Sequence, residues 1–144
     1  RDASFLAWLY PNARFVCLVR DPWDAWSSAR GMVWYERWPD LPVQDARGYA
    51  EVWTRLAQSF ASWGHPNACL VRYEDLCDPA FDLGALAEHC ELGPLDGAVR
   101  EKRIRGIAKP PQTLPDEEIA LIERSCGPIA RALGYASPRI RQSA

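Results

Sequence analysis

The chain has 144 residues, a length typical of one domain with a buried core. Hydrophobic residues make up 48% and charged residues 25%, as in ordinary soluble globular proteins, and no apolar run approaches the length of a membrane span. The net charge of -2 excludes a general attraction to nucleic acid, so any anion site must be a local cluster.

Two apolar runs predict the strands of the fold. Residues 15–19 are rich in β-formers and predict a buried strand, preceded by the end of a helix over residues 1–10. Residues 68–73 predict a second strand, and residues 46–63 between the two carry apolar side chains at helical spacing. A helix between two strands is the pattern of a parallel βαβ unit.

The residues after the first strand predict an anion site. Arg20 follows the strand at once, and ligands of open α/β sheets bind beyond the carboxyl ends of strands. Asp21 can cap a helix predicted over Pro22–Arg30, with Gly31 as its stop. A guanidinium at this point, followed by the hydroxyl of Ser28, suits a phosphate group.

The second half of the chain is predicted to be mainly helical. Asp78-Pro79 is expected to open one helix. The last helix is expected from near Pro115, with Gly127-Pro128 kinking or splitting it and Gly134 as its C-cap glycine. Residues 137–144 predict a polar tail.

Two irregular segments allow two interpretations each. The aromatic stretch Trp34–Trp38 is expected to be either a lid over a substrate or a packed surface loop. The basic run Arg100–Lys109 is expected to be either a solvated face or a nucleotide contact.

The cysteines predict free thiols and not a disulfide framework. Their number, five, is odd, and no C-x-x-C spacing occurs. Cys17 and Cys69 lie inside strand-like runs, which is typical of buried thiols in a reducing compartment. We therefore expect a cytoplasmic protein. The two histidines, His65 and His89, give no metal-ligating pattern, and no metal is expected.

Several of these stretches together resemble the C-terminal part of the sulfotransferase family, enzymes that use 3′-phosphoadenosine 5′-phosphosulfate (PAPS). Residues 11–22, followed by Asp24 and Ser28, are similar to the family's 3′-phosphate-binding strand and helix. Residues 71–79 resemble its second recurrent signature. Residues 114–135 are similar to the C-terminus of its bacterial members.

The resemblance implies an α/β fold with a parallel sheet flanked by helices, part of a P-loop NTPase-like sulfotransferase fold. Residues 1–136 would form the C-terminal part of a single sulfotransferase domain. Arg20 and Ser28 would hold the 3′-phosphate of the nucleotide, and Tyr73 would lie near the adenine. A late loop, best matched by Arg105 and Gly106, would also reach the 3′-phosphate.

Other parts of the family pattern have no counterpart in these residues. The Gly-rich loop for the 5′-phosphosulfate and the general base would lie upstream, so no catalytic residue is named. Trp23 stands where relatives commonly carry a charge. Without the resemblance, Arg20 is interpreted as a strand-end arginine paired to Asp21 or Asp24. Ser27 is an alternative to Ser28 as the functional hydroxyl. Tyr73 is equally well interpreted as a ring of the core.

The function implied is the transfer of a sulfuryl group from PAPS to a hydroxyl or amine of a small-molecule or peptide acceptor. The chain would supply the 3′-phosphate and adenine half of the donor site. No nucleic-acid or membrane partner is expected, and a homo-oligomer is left open. The alternatives are a P-loop-like kinase or phosphotransferase, and a non-catalytic α/β module for nucleotide binding or interaction.

Overall fold

A computed structural model gives the structure of the chain and describes residues 3–32, 43–97 and 113–138. Within these residues helices lie before, between and after the two strands. The elements are α1 (Ala3–Leu9), β1 (Phe15–Val19), α2 (Pro22–Met32), α3 (Ala46–Ser62), β2 (Ala68–Arg72), α4 (Tyr73–Cys77), α5 (Leu83–His89) and α6 (Asp116–Ala132).

The two strands pair in parallel, as predicted, with Phe15 opposite Ala68 and Val19 opposite Arg72. Both strands therefore end at the same edge of the sheet. The predicted fold class is confirmed, since the structure is α/β with a parallel sheet flanked by helices, although the described sheet has only two strands. The second strand ends one residue earlier than predicted, because Tyr73 is the first residue of α4.

The burial of β1 differs from the prediction of a fully buried strand. Cys17 and Val19 are buried, whereas Val16 and Leu18 between them are 40% and 48% exposed. Successive side chains of a strand point to opposite faces, so this alternation means that one face of β1 is covered and the other is open.

The described residues fall into two compact units. The first, here called the sheet unit, comprises the described parts of Arg1–Val19 and Ser59–Ala108 and contains the sheet, α1, α4 and α5. The second, here called the helical unit, comprises the described parts of Arg20–Gln58 and Lys109–Ala144 and contains α2, most of α3, and α6. The helical unit holds the largest fully buried side chains: Trp23, Ile122, Pro22 and Cys126.

Two predicted helix boundaries are wrong for local reasons. Helix α2 continues through Gly31 to Met32, so that glycine does not stop it. Asp78 does not open a helix, because its carboxylate accepts from the N–H of Ala80 at 2.8 Å and holds a turn. Helix α5 begins later, where the side chain of Asp82 caps the amides that follow it.

Helix α6 confirms the predicted cap and excludes the predicted split. It runs as one helix through Gly127 and Pro128. Gly134 has a φ of 84° and its N–H bonds to the carbonyl of Arg131, while the N–H of Tyr135 bonds to that of Ala130. These two bonds form a Schellman motif, which glycine favours because it adopts positive φ without steric cost.

Helix α3 buries its small residues more completely than its large apolar ones. Its buried residues are the small ones, Ala46, Ala50 and Ala57, while Leu56 is 42% exposed. Small side chains let neighbouring backbone approach closely, so α3 packs through its alanines and places its larger rings at the borders of that contact.

Candidate functional site

The turn between β1 and α2 carries the first predicted site residue. Arg20 follows the last residue of β1 and is half-buried. Oδ1 of Asp21 accepts hydrogen bonds from the backbone N–H groups of Trp23 at 2.9 Å and Asp24 at 3.0 Å. Asp21 thus caps α2 as predicted, and its carboxylate occupies two helix amides. An anion bound near this turn would therefore depend mainly on the charge of Arg20.

The backbone of Arg20 is held by a residue that sequence reasoning did not assign to the site. The indole Nε1–H of Trp53, on α3, donates to the carbonyl oxygen of Arg20 at 3.0 Å. The periodicity of α3 places Trp53 among its apolar residues, but it carries no signal that the indole N–H would reach the strand end. The bond ties α3 to the start of the turn that carries the predicted anion site.

Burial separates the two serines of α2. Ser27 is only 3% exposed and lies in the core of the helical unit, whereas Ser28 is half-buried. Ser28 lies four residues after Asp24, so both share one face of α2. Its hydroxyl lies about 9 Å along the helix axis from the first helical residue. Of the two serines, Ser28 is the more exposed.

Tyr49 adds a buried phenol close to the same turn. Its hydroxyl is inaccessible to solvent and has no hydrogen-bond partner among the described residues. Burial raises its pKa well above the usual value of 10.0, helped by Cys126 and Asp21 and opposed by Arg20. Its ring stacks on that of Trp26, with centroids 5.2 Å apart. Tyr49 is therefore a neutral group at neutral pH.

Two tryptophans of α2 donate hydrogen bonds to the first turn of α6. Trp26 donates from Nε1 to Oε2 of Glu118 at 2.6 Å, and Arg30 approaches the same oxygen at 3.5 Å. Trp23 donates to the carbonyl of Ile119 at 3.4 Å. The helix that carries Ser28 thus has partners in the helical unit.

Tyr73 belongs to the sheet unit. It directly follows β2 and is the half-buried first residue of α4. Beside it, the guanidinium of Arg72 donates to Asp75 from Nε at 2.9 Å and from Nη2 at 2.5 Å. These hydrogen bonds lower the pKa of the Asp75 carboxyl below its usual value of 3.8. The pair of Arg72 and Asp75 thereby stabilises the first turn of α4, which contains Tyr73.

The remaining predicted site residues, Arg105 and Gly106, lie outside the described residues, as do the aromatic stretch Trp34–Trp38 and the basic run Arg100–Lys109. Each of the two histidines makes a contact with the backbone. Nδ1 of His65 accepts from the N–H of Asn67 at 3.2 Å, and Nε2 of His89 lies 3.3 Å from the carbonyl oxygen of Phe15.

The described residues contain neither a candidate metal cluster nor a candidate membrane span. No three of their His, Cys, Asp and Glu side chains cluster in a way that could hold a metal ion. None of their helices combines the length and the apolar character that crossing a membrane requires.

Comparison with known proteins identifies the family of the chain. The model of a family described as "Sulfotransferase family" matches residues 1–96, which is more than half of the chain and includes β1, α2 and β2. No curated protein matches the chain, and no solved structure does. The matched residues include Arg20, Ser28 and Tyr73. The chain belongs to the sulfotransferase family.

Proposed function

We propose that this sulfotransferase-family chain binds PAPS and serves the transfer of its sulfuryl group to a hydroxyl or amine of a small-molecule or peptide acceptor. Arg20 and Ser28 hold the 3′-phosphate, Tyr73 lies against the adenine, and Arg105 and Gly106 add a further contact. The observation that carries the proposal is Arg20 itself, a half-buried arginine that directly follows the last residue of β1 and precedes the Asp21 cap of α2.

The chemistry of Arg20 and Ser28 supports the proposed contact with a terminal phosphate. A guanidinium offers a planar fork of N–H donors with a permanent positive charge, which matches phosphate oxygens. Ser28 offers a hydroxyl on a half-buried residue of α2, a helix whose Trp26 bonds to Glu118. The carboxylate of Asp21 already accepts from the first free N–H groups of α2, those of Trp23 and Asp24. Selectivity for an anion therefore comes from side chains and not from these amides.

These residues serve binding and orientation and not bond cleavage. PAPS supplies the sulfuryl group, at the 5′ end of the nucleotide. Arg20 and Ser28 bind the opposite end of the nucleotide and fix its position. In group transfer much of the rate enhancement comes from such positioning. This contact also favours binding of PAPS over nucleotides such as ATP, which lack a 3′-phosphate.

Isothermal calorimetry on the full chain tests the proposal with two nucleotides that differ by one phosphate. The wild-type chain should bind 3′,5′-ADP, the desulfated product, more tightly than 5′-AMP. In Arg20→Ala the affinity for 3′,5′-ADP should fall by about tenfold or more, because a hydrogen bond to a charged group is lost. The affinity for 5′-AMP should stay near that of the wild type.

Arg30→Ala is the matched control, since it removes an arginine from α2 that approaches Glu118. It should keep the preference for 3′,5′-ADP. Equal or absent binding of 3′,5′-ADP and 5′-AMP to the wild-type chain would overturn the proposal. Tighter binding of ATP with Mg²⁺ would do so as well, and would indicate a kinase-like site.

A further inference from the structure

The carbonyl oxygen of Arg20 lies just before the first turn of α2 and needs a donor from outside the helix. In a longer helix the N–H of Asp24 would bond to it, but that N–H donates to the side chain of Asp21. The hydrogen bonding of the helix backbone starts one residue later, from Ala25 to the carbonyl of Asp21 at 2.9 Å. The indole N–H of Trp53 supplies a donor to the carbonyl of Arg20.

The helix that carries this indole is itself anchored within the helical unit. The hydroxyl of Thr54, the next residue, donates to the carbonyl of Ser125 on α6 at 3.2 Å. One turn earlier on α3, the carbonyl of Ala50 accepts from the thiol of Cys126 at 3.6 Å. Since α3 is tied to α6 on both sides of Trp53, the indole N–H is held at a defined place.

We infer that Trp53 is a positioning residue for the 3′-phosphate contact. Its hydrogen bond orients the peptide plane after Arg20 and with it the direction in which the guanidinium leaves the backbone. A two-pronged contact to phosphate depends on that direction more than a single charge does. The inference rests on the proposed function, because it concerns the grip of Arg20 on PAPS.

Trp53→Phe tests the inference, because it keeps an aromatic ring and removes the N–H donor. Calorimetry on the full chain should show about a three- to tenfold loss of affinity for 3′,5′-ADP, the size expected for one hydrogen bond. The affinity for 5′-AMP should not change, so the ratio of the two affinities falls. A general loss of structure would lower both affinities together.

Trp23→Phe is the matched control. It breaks a bond of the same type, from an indole N–H to the backbone carbonyl of Ile119 at 3.4 Å, in the same unit. Its melting temperature is expected to drop, while the ratio of affinities for 3′,5′-ADP and 5′-AMP stays at the wild-type value.

The outcomes separate this inference from the function on which it rests. A wild-type chain without preference for 3′,5′-ADP overturns the proposed function. A wild-type preference that Trp53→Phe keeps in full overturns the role of Trp53 alone, and so does an equal loss for both nucleotides. Should Trp53→Phe fail to fold, 3-benzothienylalanine at position 53 keeps the ring size, replaces the N–H by sulfur, and is judged by the same ratio.

Discussion

The carboxylate of Asp21 and the backbone N–H of Trp23 are joined by a 2.9 Å hydrogen bond in the interior of the helical unit. Asp21 is only 4% exposed, so this cap lies in the core and not in solvent. The contact sets where α2 begins. It also fixes the backbone directly after Arg20, the residue that we propose to bind the 3′-phosphate.

Removal of this cap is expected to destabilise the chain. Asp21→Ala should lower the free energy of unfolding by about 2 kcal/mol, the upper part of the range for helix caps, because the amides it leaves are buried. Asp82→Ala removes the equivalent cap from α5, where the aspartate is exposed, and should cost about 1 kcal/mol or less. Urea unfolding measures both. An Asp21→Ala chain as stable as the wild type would contradict this role.

Much of this region could be predicted because its signals are local. The structure confirms three predictions that depend only on neighbours within a few residues. They are the strand over residues 15–19, the Asp21 cap of α2 and the glycine cap at position 134. The wrong start of α5 is also local in origin. Asp78 and Asp82 can each cap a helix, and the sequence does not show which one is used for a turn.

The parts of the site that could not be predicted depend on contacts between distant residues. The bond from Trp53 to Arg20 joins residues 33 apart, and that from Trp26 to Glu118 joins residues 92 apart. Periodicity places an indole on a helix face, but the destination of its N–H depends on how the helices pack. The burial that separates Ser27 from Ser28 follows from the same packing.

The two serines of α2 are expected to respond differently to the same substitution. Ser28→Ala should weaken binding of 3′,5′-ADP by about three- to tenfold with little loss of stability, since Ser28 is only half-buried. Ser27→Ala should lower the melting temperature and leave the preference for 3′,5′-ADP over 5′-AMP unchanged, because Ser27 is a core residue. Calorimetry and thermal melts on both variants decide. The reverse pattern would assign the phosphate contact to Ser27.

The pair of Arg72 and Asp75 is expected to make stability depend on pH under acidic conditions. Its contribution is present above the usual carboxyl pKa of 3.8 and is lost as the pH falls through the lower pKa of the folded state. Because both side chains are partly exposed, the contribution should be about 1 kcal/mol or less.

Asp75→Asn should therefore be less stable than the wild type at pH 6, with the difference shrinking as the pH falls below 3.8. Urea unfolding at a series of pH values measures it. In an Arg72→Met background the same substitution should have little effect at any pH. A difference between the wild type and the Asp75→Asn variant that grows on acidification would refute the assignment.

Glu91 adopts a backbone conformation that glycine would adopt at less cost. It has a φ of 56° after the last turn of α5, and its carboxylate pairs with Arg14. Glu91→Ala keeps the strained conformation and loses the ion pair, whereas Glu91→Gly relieves the strain. We expect Glu91→Gly to be more stable than Glu91→Ala by about 1 kcal/mol.

Gly134 gives the opposite test of the same strain, since its φ is 84°. Gly134→Ala should lose about 1 kcal/mol in urea unfolding. If alanine were as stable as glycine at both positions, left-handed backbone strain would have no role in ending these two helices.

The five free thiols are expected to react with alkylating reagents in an order set by burial. Cys126 is fully buried, and its burial raises the pKa of the thiol to about 11. At pH 8 about one molecule in a thousand then carries the reactive thiolate at this position. Cys17 is also buried, whereas Cys77 and Cys90 are partly exposed.

Iodoacetamide at pH 8 should therefore modify Cys77 and Cys90 well before Cys17 and Cys126, as read by mass spectrometry of peptides from the native chain. In urea all five cysteines should react at similar rates, which controls for differences in the peptides. Rapid labelling of Cys126 in the native chain would mean that the contact between α3 and α6 opens readily. The anchoring of Trp53 through Thr54 and Ala50 would then fail with it.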